Sequence, residues 1–240
     1  MQYVCSDIHG QYDLYKQLME KIKPEDTLYV IGDMIDRGPS SIPILQDMMK
    51  RDNVIPFLGN HELMMLDYLS QTGMPESWFY GANGGQITYK EYEALDSKAR
   101  EEIVAYLRES WVQKYVEVDG IPYALSHSFF LPDHTGEDLR YSQTDSWDDV
   151  FMAVWYSPYR FWEHVDPEVY DDGYIHIVGH IPVQTKGVAR PPFYSPSVGQ
   201  KLITIDGGCN LIAHGRYGGL YCMSLGEERR EFWFSPYDTV

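Results

Sequence analysis

Positive charge is what this chain has least of: 19 Lys and Arg stand against 36 Asp and Glu, a formal net charge of −17. That balance repels polyanions at long range, so nonspecific binding to DNA, RNA or an anionic membrane is disfavoured. A phosphate-bearing ligand would need a local positive source, and a metal pair held by clustered carboxylates is one. Cysteine is scarce as well. Cys5, Cys209 and Cys222 have no CxxC spacing, and they read as buried, reduced thiols of a cytosolic protein. No apolar run approaches the roughly 20 residues of a membrane span. Met1 leads straight into a strand rather than into a charged and then apolar leader, so a cytoplasmic location is the expectation. Internal repeats and low-complexity tracts are absent too.

What is present suits a globular protein. The 240 residues are 44% hydrophobic and 15% aromatic, with twenty tyrosines, which excludes a disordered chain and allows a sizeable core. A single domain over residues 1–240 is expected. The first sixty residues repeat strand, loop and helix: "QYVCS" then "YDLYKQLMEKI", "TLYVI" then "SIPILQDMMKR", "NVIPFL" then "HELMMLDYLS". Such alternation predicts a parallel sheet whose loops gather at the carboxyl edge of the strands. Residues 71–113 read as a helical insertion beside that edge. Its aromatic, glycine-rich start "GMPESWFYGANGGQ" is followed by a helix "DSKAREEIVAYLRESW" with Ile103, Leu107 and Trp111 on one face. Strands resume at "YVEVDGIPYALS", with a hairpin turn at Asp119-Gly120, and continue at "YIHIVG", "KLITID", "LYCMSL" and "REFWFS". Residues 131–173 carry no clear pattern.

Each strand end delivers a chemically able side chain. The first strand delivers Asp7 and His9, the second Asp33 and Asp36, the third Asn60 and His61; His127 follows "IPYALS", and His180 follows "YIHIVG". Aspartate and asparagine oxygens mixed with imidazole suit Mn, Fe or Zn better than Ca or an all-thiolate zinc site. Asp7 and His9, one residue apart on extended chain, can grip one ion together. Asp33 has two oxygens and can bridge to a second ion, which Asn60, His127 and His180 complete. A dinuclear centre of that kind lowers the pKa of a bridging water and clamps a phosphoryl oxygen.

Taken singly, each of these residues has a plainer explanation. Asp7-Ile8-His9 alone is a turn capping the next helix; Asn60 is a good N-cap; His127 is a satisfied buried histidine; His180 ends a strand. Independent capping would not place the ligands for two metals at successive strand ends, and that coincidence favours the metal reading. His134 in "PDHTG" competes with His127 but follows no strand.

"SDIHG", "GDMIDRG" and "GNHE", with separate histidines at "LSH" and "VGH", resemble the signature of the calcineurin-like metallophosphoesterases. They are most similar to its phosphoprotein phosphatase branch (GDxHG, GDxxDRG, GNHE, H, GH). "NGG" at 83–85 and "IDGGCNLIAHGRYGGLYCMSL" look more like the bacterial and phage serine/threonine phosphatases. The resemblance implies an α/β fold, two packed mixed β-sheets flanked by helices. It implies two divalent ions, Mn first with Fe, Zn or Ni as alternatives. Asp7, His9 and Asp33 would hold one, and Asp33, Asn60, His127 and His180 the other. It further implies His61 as a general acid, Asp36 as the carboxylate that orients it, and Arg37 as the phosphate ligand, with Asn60 also touching substrate. Arg160 in "WYSPYRFWE" is a candidate second phosphate-binding arginine, the plainer reading being an exposed arginine paired with Glu163.

The implied activity is hydrolysis of phosphomonoesters by a bridging hydroxide, on a phosphorylated protein as a serine/threonine phosphatase. The alternatives are a dinucleoside polyphosphate hydrolase, with "WFYGANGG" stacking a base, and a non-catalytic binding protein on the same fold. No nucleic-acid polymer and no membrane are expected as partners, and the oligomeric state is left open. Three positions depart from the pattern: Ser6 stands where glycine is usual, "HSFF" puts Phe129 and Phe130 beside the approach, and Ile181 replaces the usual threonine after His180.

Overall fold

Strict two-residue alternation decides which way each central strand faces. In β1 (Gln2–Cys5) Tyr3 and Cys5 join a core beneath helices, while Val4 joins a second core on the opposite face. Strand β2 (Thr27–Val30) repeats the scheme, with Leu28 and Val30 on one side and Tyr29 on the other. The computed structural model describes residues 1–157 and 167–238.

Two mixed sheets result. The first has the order β11-β10-β1-β2-β3, with β1, β2 and β3 (Val54–Pro56) parallel and β10 (Leu220–Ser224) and β11 (Glu231–Phe234) added antiparallel. The second has the order β6-β4-β5-β7-β9-β8. In it β5 (Ile121–Ser126), β7 (Ile175–Val178) and β9 (Gly199–Thr204) are parallel, and β4 (Trp111–Val118), β6 (Leu139–Arg140) and β8 (Phe193–Ser195) pair antiparallel. Val4, Tyr29, Ile31, Leu125, Ile177 and Ile203 belong to the core between the sheets. Outside the first sheet lie α1 (Tyr12–Met19) and α2 (Ile42–Met48), which bury Leu14, Leu18, Ile44 and Leu45.

The parallel strands of both sheets end at one edge, where α3 (Asn60–Ser70) begins directly after β3 and Leu58. The expected insertion is a 3-10 turn over Pro75–Phe79, then α4 (Gly85–Glu93) and α5 (Ser97–Arg108). Its last helix is shorter than the pattern predicts. It starts where the Asp96 carboxylate accepts the Ala99 N–H at 2.9 Å and ends at Arg108. Trp111 instead opens β4, where its carbonyl accepts the Leu58 N–H and Arg140 stacks on its ring at 3.8 Å. The Asp119-Gly120 hairpin forms as expected, both residues at positive φ. The unpatterned stretch contributes β6 and α6 (Trp147–Trp155). No helix among the described residues is long and apolar enough to cross a membrane.

Candidate functional site

Among the described residues eight non-glycine residues have positive φ, and six of them are Asp7, His9, Asp33, Asp36, Arg37 and His180. Left-handed backbone costs an L-residue about 1 kcal/mol or more, so its concentration at one sheet edge marks a place where side-chain aim outweighs local ease. Backbone bonds zip the two loops together: Asp7 N–H to Gly32 O, His9 N–H to Asp33 O and Gly10 N–H to Met34 O, all near 3.0 Å. The result brings Asp7, His9, Asp33, Asp36, Asn60, His61 and His127 together, all buried, with His180 half-buried beside them.

Carbonyl partners fix the imidazole protons. His127 Nδ1 lies 2.9 Å from the Ile31 carbonyl and His9 Nδ1 lies 3.1 Å from that of Ile35. A carbonyl only accepts, so both Nδ1 atoms carry the proton and both Nε2 atoms present lone pairs. Those lone pairs face the two oxygens of one carboxylate: His127 Nε2 is 3.4 Å from Asp33 Oδ1, and His9 Nε2 is 3.5 Å from Asp33 Oδ2. Asn60 Oδ1 stands 3.1 Å from His127 Nε2 and 3.0 Å from His180 Nδ1. Turned over, the Asn60 amide would donate to those nitrogens and to Asp33; with oxygen inward it could serve as a ligand. Acceptor facing acceptor in a buried pocket is repulsive unless a cation stands between them, and oxygen with imidazole is the donor set of a divalent transition metal. The residues therefore fit a metal pair. Among the described residues two groups meet the spacing, His9 with Asp33 and His61, and Asp33 with His127 and His180, each with its possible ligand atoms within 4.8 Å of one another. Asp7 joins neither; its carboxylate accepts the His180 N–H at 3.0 Å and lies 3.9 Å from His9 Nε2.

His61 is held differently. Its Nδ1 lies 2.7 Å from Asp36 Oδ2, and its Nε2 has no hydrogen-bond partner among the described residues. Burial pushes the Asp36 carboxyl up to about 7, against the pull of hydrogen bonds and of Arg37. Burial, then the charge of Arg37, holds His61 well below the usual imidazole range. Burial likewise raises Asp7 and Asp33 and lowers His9 and His180. Arg37 is half-buried; its Nε–H donates to the Ala82 carbonyl at 3.2 Å and its Nη1 lies 3.1 Å from His9 Nε2, a cation set against that lone pair.

Four further residues support the site in roles the sequence reading does not assign. Glu62 accepts four backbone N–H groups, from Gly59, Asp33, Met34 and Ile35, and so pins the loop after β2. Trp78 Nε1–H donates to Asp36 Oδ2 at 2.8 Å. Thr88 Oγ1 accepts the Asp36 N–H at 3.2 Å. Asp206, just beyond β9, is buried with Oδ2 unpartnered among the described residues, and burial with the charge of Asp7 raises its carboxyl. A search of every strand end would have found Asp206; the other three needed the tertiary contacts.

Several expectations change. Trp78 is fully buried and Phe79 packs against Tyr68 and Tyr89, so neither offers a free face to a base; Tyr80 alone of the three, 68% exposed, does. Phe129 and Phe130 do not crowd the approach. They are buried in a small core with Tyr170, Val178 and Leu202. His134 does not compete with His127, for it sits on a surface turn with Nδ1 3.0 Å from Glu137. Asn60 is the first residue of α3 rather than its cap, which is Gly59. Trp155, the last residue of α6, brings its ring 6.3 Å from that of His180. Arg160 and Glu163 lie outside the described residues.

Comparison with known proteins gives a consistent family. The family model described as calcineurin-like phosphoesterase matches residues 3–215. Serine/threonine-protein phosphatase 2 of Escherichia coli (strain K12) is 30% identical over 157 residues, 63% of this chain and 67% of that protein. The symmetrical bis(5'-nucleosyl)-tetraphosphatase of Acidovorax ebreus (strain TPSY) is 30% identical over 140 residues, 57% of this chain but 46% of that one, so the match spans about half the relative's length. Among solved structures, a protein serine/threonine phosphatase from Saccharomyces cerevisiae superimposes with a TM-score of 0.64 at 16% identity, covering 92% of this chain and 71% of the other. At that identity the likeness is one of fold.

Proposed function

The chain belongs to the calcineurin-like phosphoesterase family, and from that premise we propose that it is a metal-dependent phosphatase acting on phosphomonoesters, with residues 1–240 as one catalytic domain. The observation that carries the reading is the position of Asp33, whose two oxygens face His127 Nε2 at 3.4 Å and His9 Nε2 at 3.5 Å. One carboxylate so placed can serve two ions. Asp7, His9 and Asp33 would hold the first, and Asp33, Asn60, His127 and His180 the second, with Mn first among the metals on the mixed oxygen and imidazole donors. When bound, such a pair activates water and neutralises phosphoryl charge.

The chain's own residues do the rest. Arg37, half-buried at the mouth of the site, presents a planar fork to the phosphoryl oxygens. His61, its Nδ1–H donated to the Asp36 carboxylate, would act as the imidazolium, whose charge Asp36 offsets against the burial that disfavours it, and give its Nε2 proton to the leaving oxygen. In hydrolysis the oxygen of water joins phosphorus and keeps one proton, the electron pair of the broken P–O bond leaves with the ester oxygen and takes the His61 proton, and the proton that water released restores His61 through solvent. Asp7 steadies His180 through its amide. A phosphoserine or phosphothreonine protein is the first substrate class, on the DRG and GNHE motifs and the E. coli relative. Three buried free cysteines agree with a reducing, cytoplasmic setting.

A second reading, hydrolysis of a dinucleoside polyphosphate, is favoured by Tyr80. It lies exposed two residues from Ala82, whose carbonyl takes the Arg37 guanidinium, so an aromatic face stands near the phosphate-binding group. The deciding experiment offers Mn-loaded protein phosphoserine, phosphothreonine and phosphotyrosine peptides beside diadenosine tetraphosphate. Faster turnover of the first two supports a serine/threonine phosphatase; preference for the dinucleotide replaces that reading with the second.

A further inference from the structure

We propose that Trp78 is a positioning residue for proton delivery: its indole N–H fixes the Asp36 oxygen that aims His61. Resting on His61 as the acid, the proposal gives the insertion after α3 a chemical task.

Asp36 Oδ2 accepts two hydrogen bonds, from His61 Nδ1 at 2.7 Å and from Trp78 Nε1 at 2.8 Å. All three side chains are fully buried, so no water competes for that oxygen. An indole N–H can only donate, so it occupies one lone-pair direction of Oδ2 and leaves the other for imidazole. Asp36 Oδ1 has no hydrogen-bond partner among the described residues; without Trp78 the carboxylate would keep only His61 and the pull of the Thr88 hydroxyl, and could turn about Cβ–Cγ away from the angle at which Oδ2 aims His61.

The indole is itself held. Rings of Tyr68, Phe79 and Tyr89 pack against it with centroids 5.6, 5.2 and 6.0 Å away. Gly85, the first residue of α4, passes so close that a Cβ there would overlap the indole. From the same segment Thr88 holds the Asp36 N–H, and Glu91 accepts the N–H groups of Ser41 and Ile42 at 2.9 and 3.0 Å. Residues 75–91 thus brace the loop bearing Asp36 and Arg37 from behind.

The test separates aim from packing through the leaving group. A p-nitrophenolate leaves without much help, whereas phenolate, far more basic, needs the proton. Mn-loaded Trp78→Phe, which keeps an aromatic ring but loses the donor, should lose about 10-fold in kcat/KM on phenyl phosphate and less than about 2-fold on p-nitrophenyl phosphate. His61→Ala should show the same asymmetry more strongly, about 100-fold on phenyl phosphate. Adding Trp78→Phe to His61→Ala should cost nothing further, because the two act through one proton. Equal losses on both esters in Trp78→Phe, or additive losses in the double variant, overturn the positioning role while leaving His61 in place. A flat leaving-group response in His61→Ala removes the acid itself, and the proposal with it. Should Trp78→Phe fail to fold, benzothienylalanine at position 78 exchanges the N–H for sulfur at nearly constant shape, and the same ratios decide.

Discussion

Glu62 Oε2 accepts the backbone N–H of Asp33 at 2.9 Å, so a carboxylate from the first turn of α3 fixes the chain at the residue set between the two histidine groups. The same oxygen takes the Gly59 N–H at 2.8 Å, and Oε1 takes those of Met34 and Ile35. Burial pushes this carboxyl up, yet four amide donors are matched to the anion and would have no acceptor in its place.

Glu62→Gln should therefore be nearly as damaging as Glu62→Ala. The amide would turn a donor toward N–H groups that already need acceptors, and either change should cost about 3 kcal/mol or more in urea unfolding. Metal affinity, read by calorimetry with Mn, should fall about 10-fold or more because Asp33 loses its anchor. A Glu62→Gln variant that binds Mn like the parent would contradict this.

Gly179 lies against Asp7. A Cβ there would overlap the Asp7 carboxylate and the Ser6 hydroxyl, both buried and close-packed. Gly179→Ala is expected to turn Asp7 away from the His180 N–H and to lower kcat on p-nitrophenyl phosphate about 10-fold or more while the far-UV spectrum stays native. Retained activity would show that Asp7 has room to spare.

Metal and pH should act on stability together. Burial raises the carboxyls of Asp33 and Asp36, each to about 7. A raised acid favours the fold while protonated; its contribution is complete below the unfolded value near 4 and is lost as pH rises through the folded value. The lowered histidines act oppositely, but only below their ordinary value of 6.5, since above it they are neutral folded or unfolded. Metal-free protein should thus lose Tm as pH rises from 6.5 through about 7, whereas Mn-loaded protein, its Asp33 carboxylate held as the anion by the ions, should lose less. Parallel Tm curves with and without Mn would contradict the assignment.

Tyr80 separates the two substrate readings. If the exposed ring stacks a base, Tyr80→Ala should raise KM for diadenosine tetraphosphate about 10-fold and leave p-nitrophenyl phosphate unchanged. Equal effects on both would remove the platform.

Much of this candidate site can be read from the sequence because each candidate ligand follows an apolar strand: Asp7 after β1, Asp33 after β2, Asn60 after β3, His127 after β5 and His180 after β7. Periodicity finds the strands, and parallel topology puts their ends together. Residues that act through tertiary contact leave no such trace. Trp78 and Asp36 are 42 positions apart, and the aromatic run around Trp78 looks in sequence like an open platform although its indole is sealed behind Asp36. Trp111 sits four residues beyond Leu107 and extends the helical period, yet hydrogen bonding to Leu58 draws it into β4. Glu62 sits within a quoted motif, but its task is to bind backbone N–H groups of a distant loop, which no spacing reports.

The central claim is that Asp33 stands between two metal ions that together make phosphate ester hydrolysis possible. Metal-stripped protein titrated with Mn, with bound ions per chain and p-nitrophenyl phosphate turnover read on the same samples, tests it directly. Two ions per chain, with turnover appearing as the second binds and Asp33→Asn reducing both, is the expected result. Full turnover by the stripped protein, or saturation at a single ion, would contradict it.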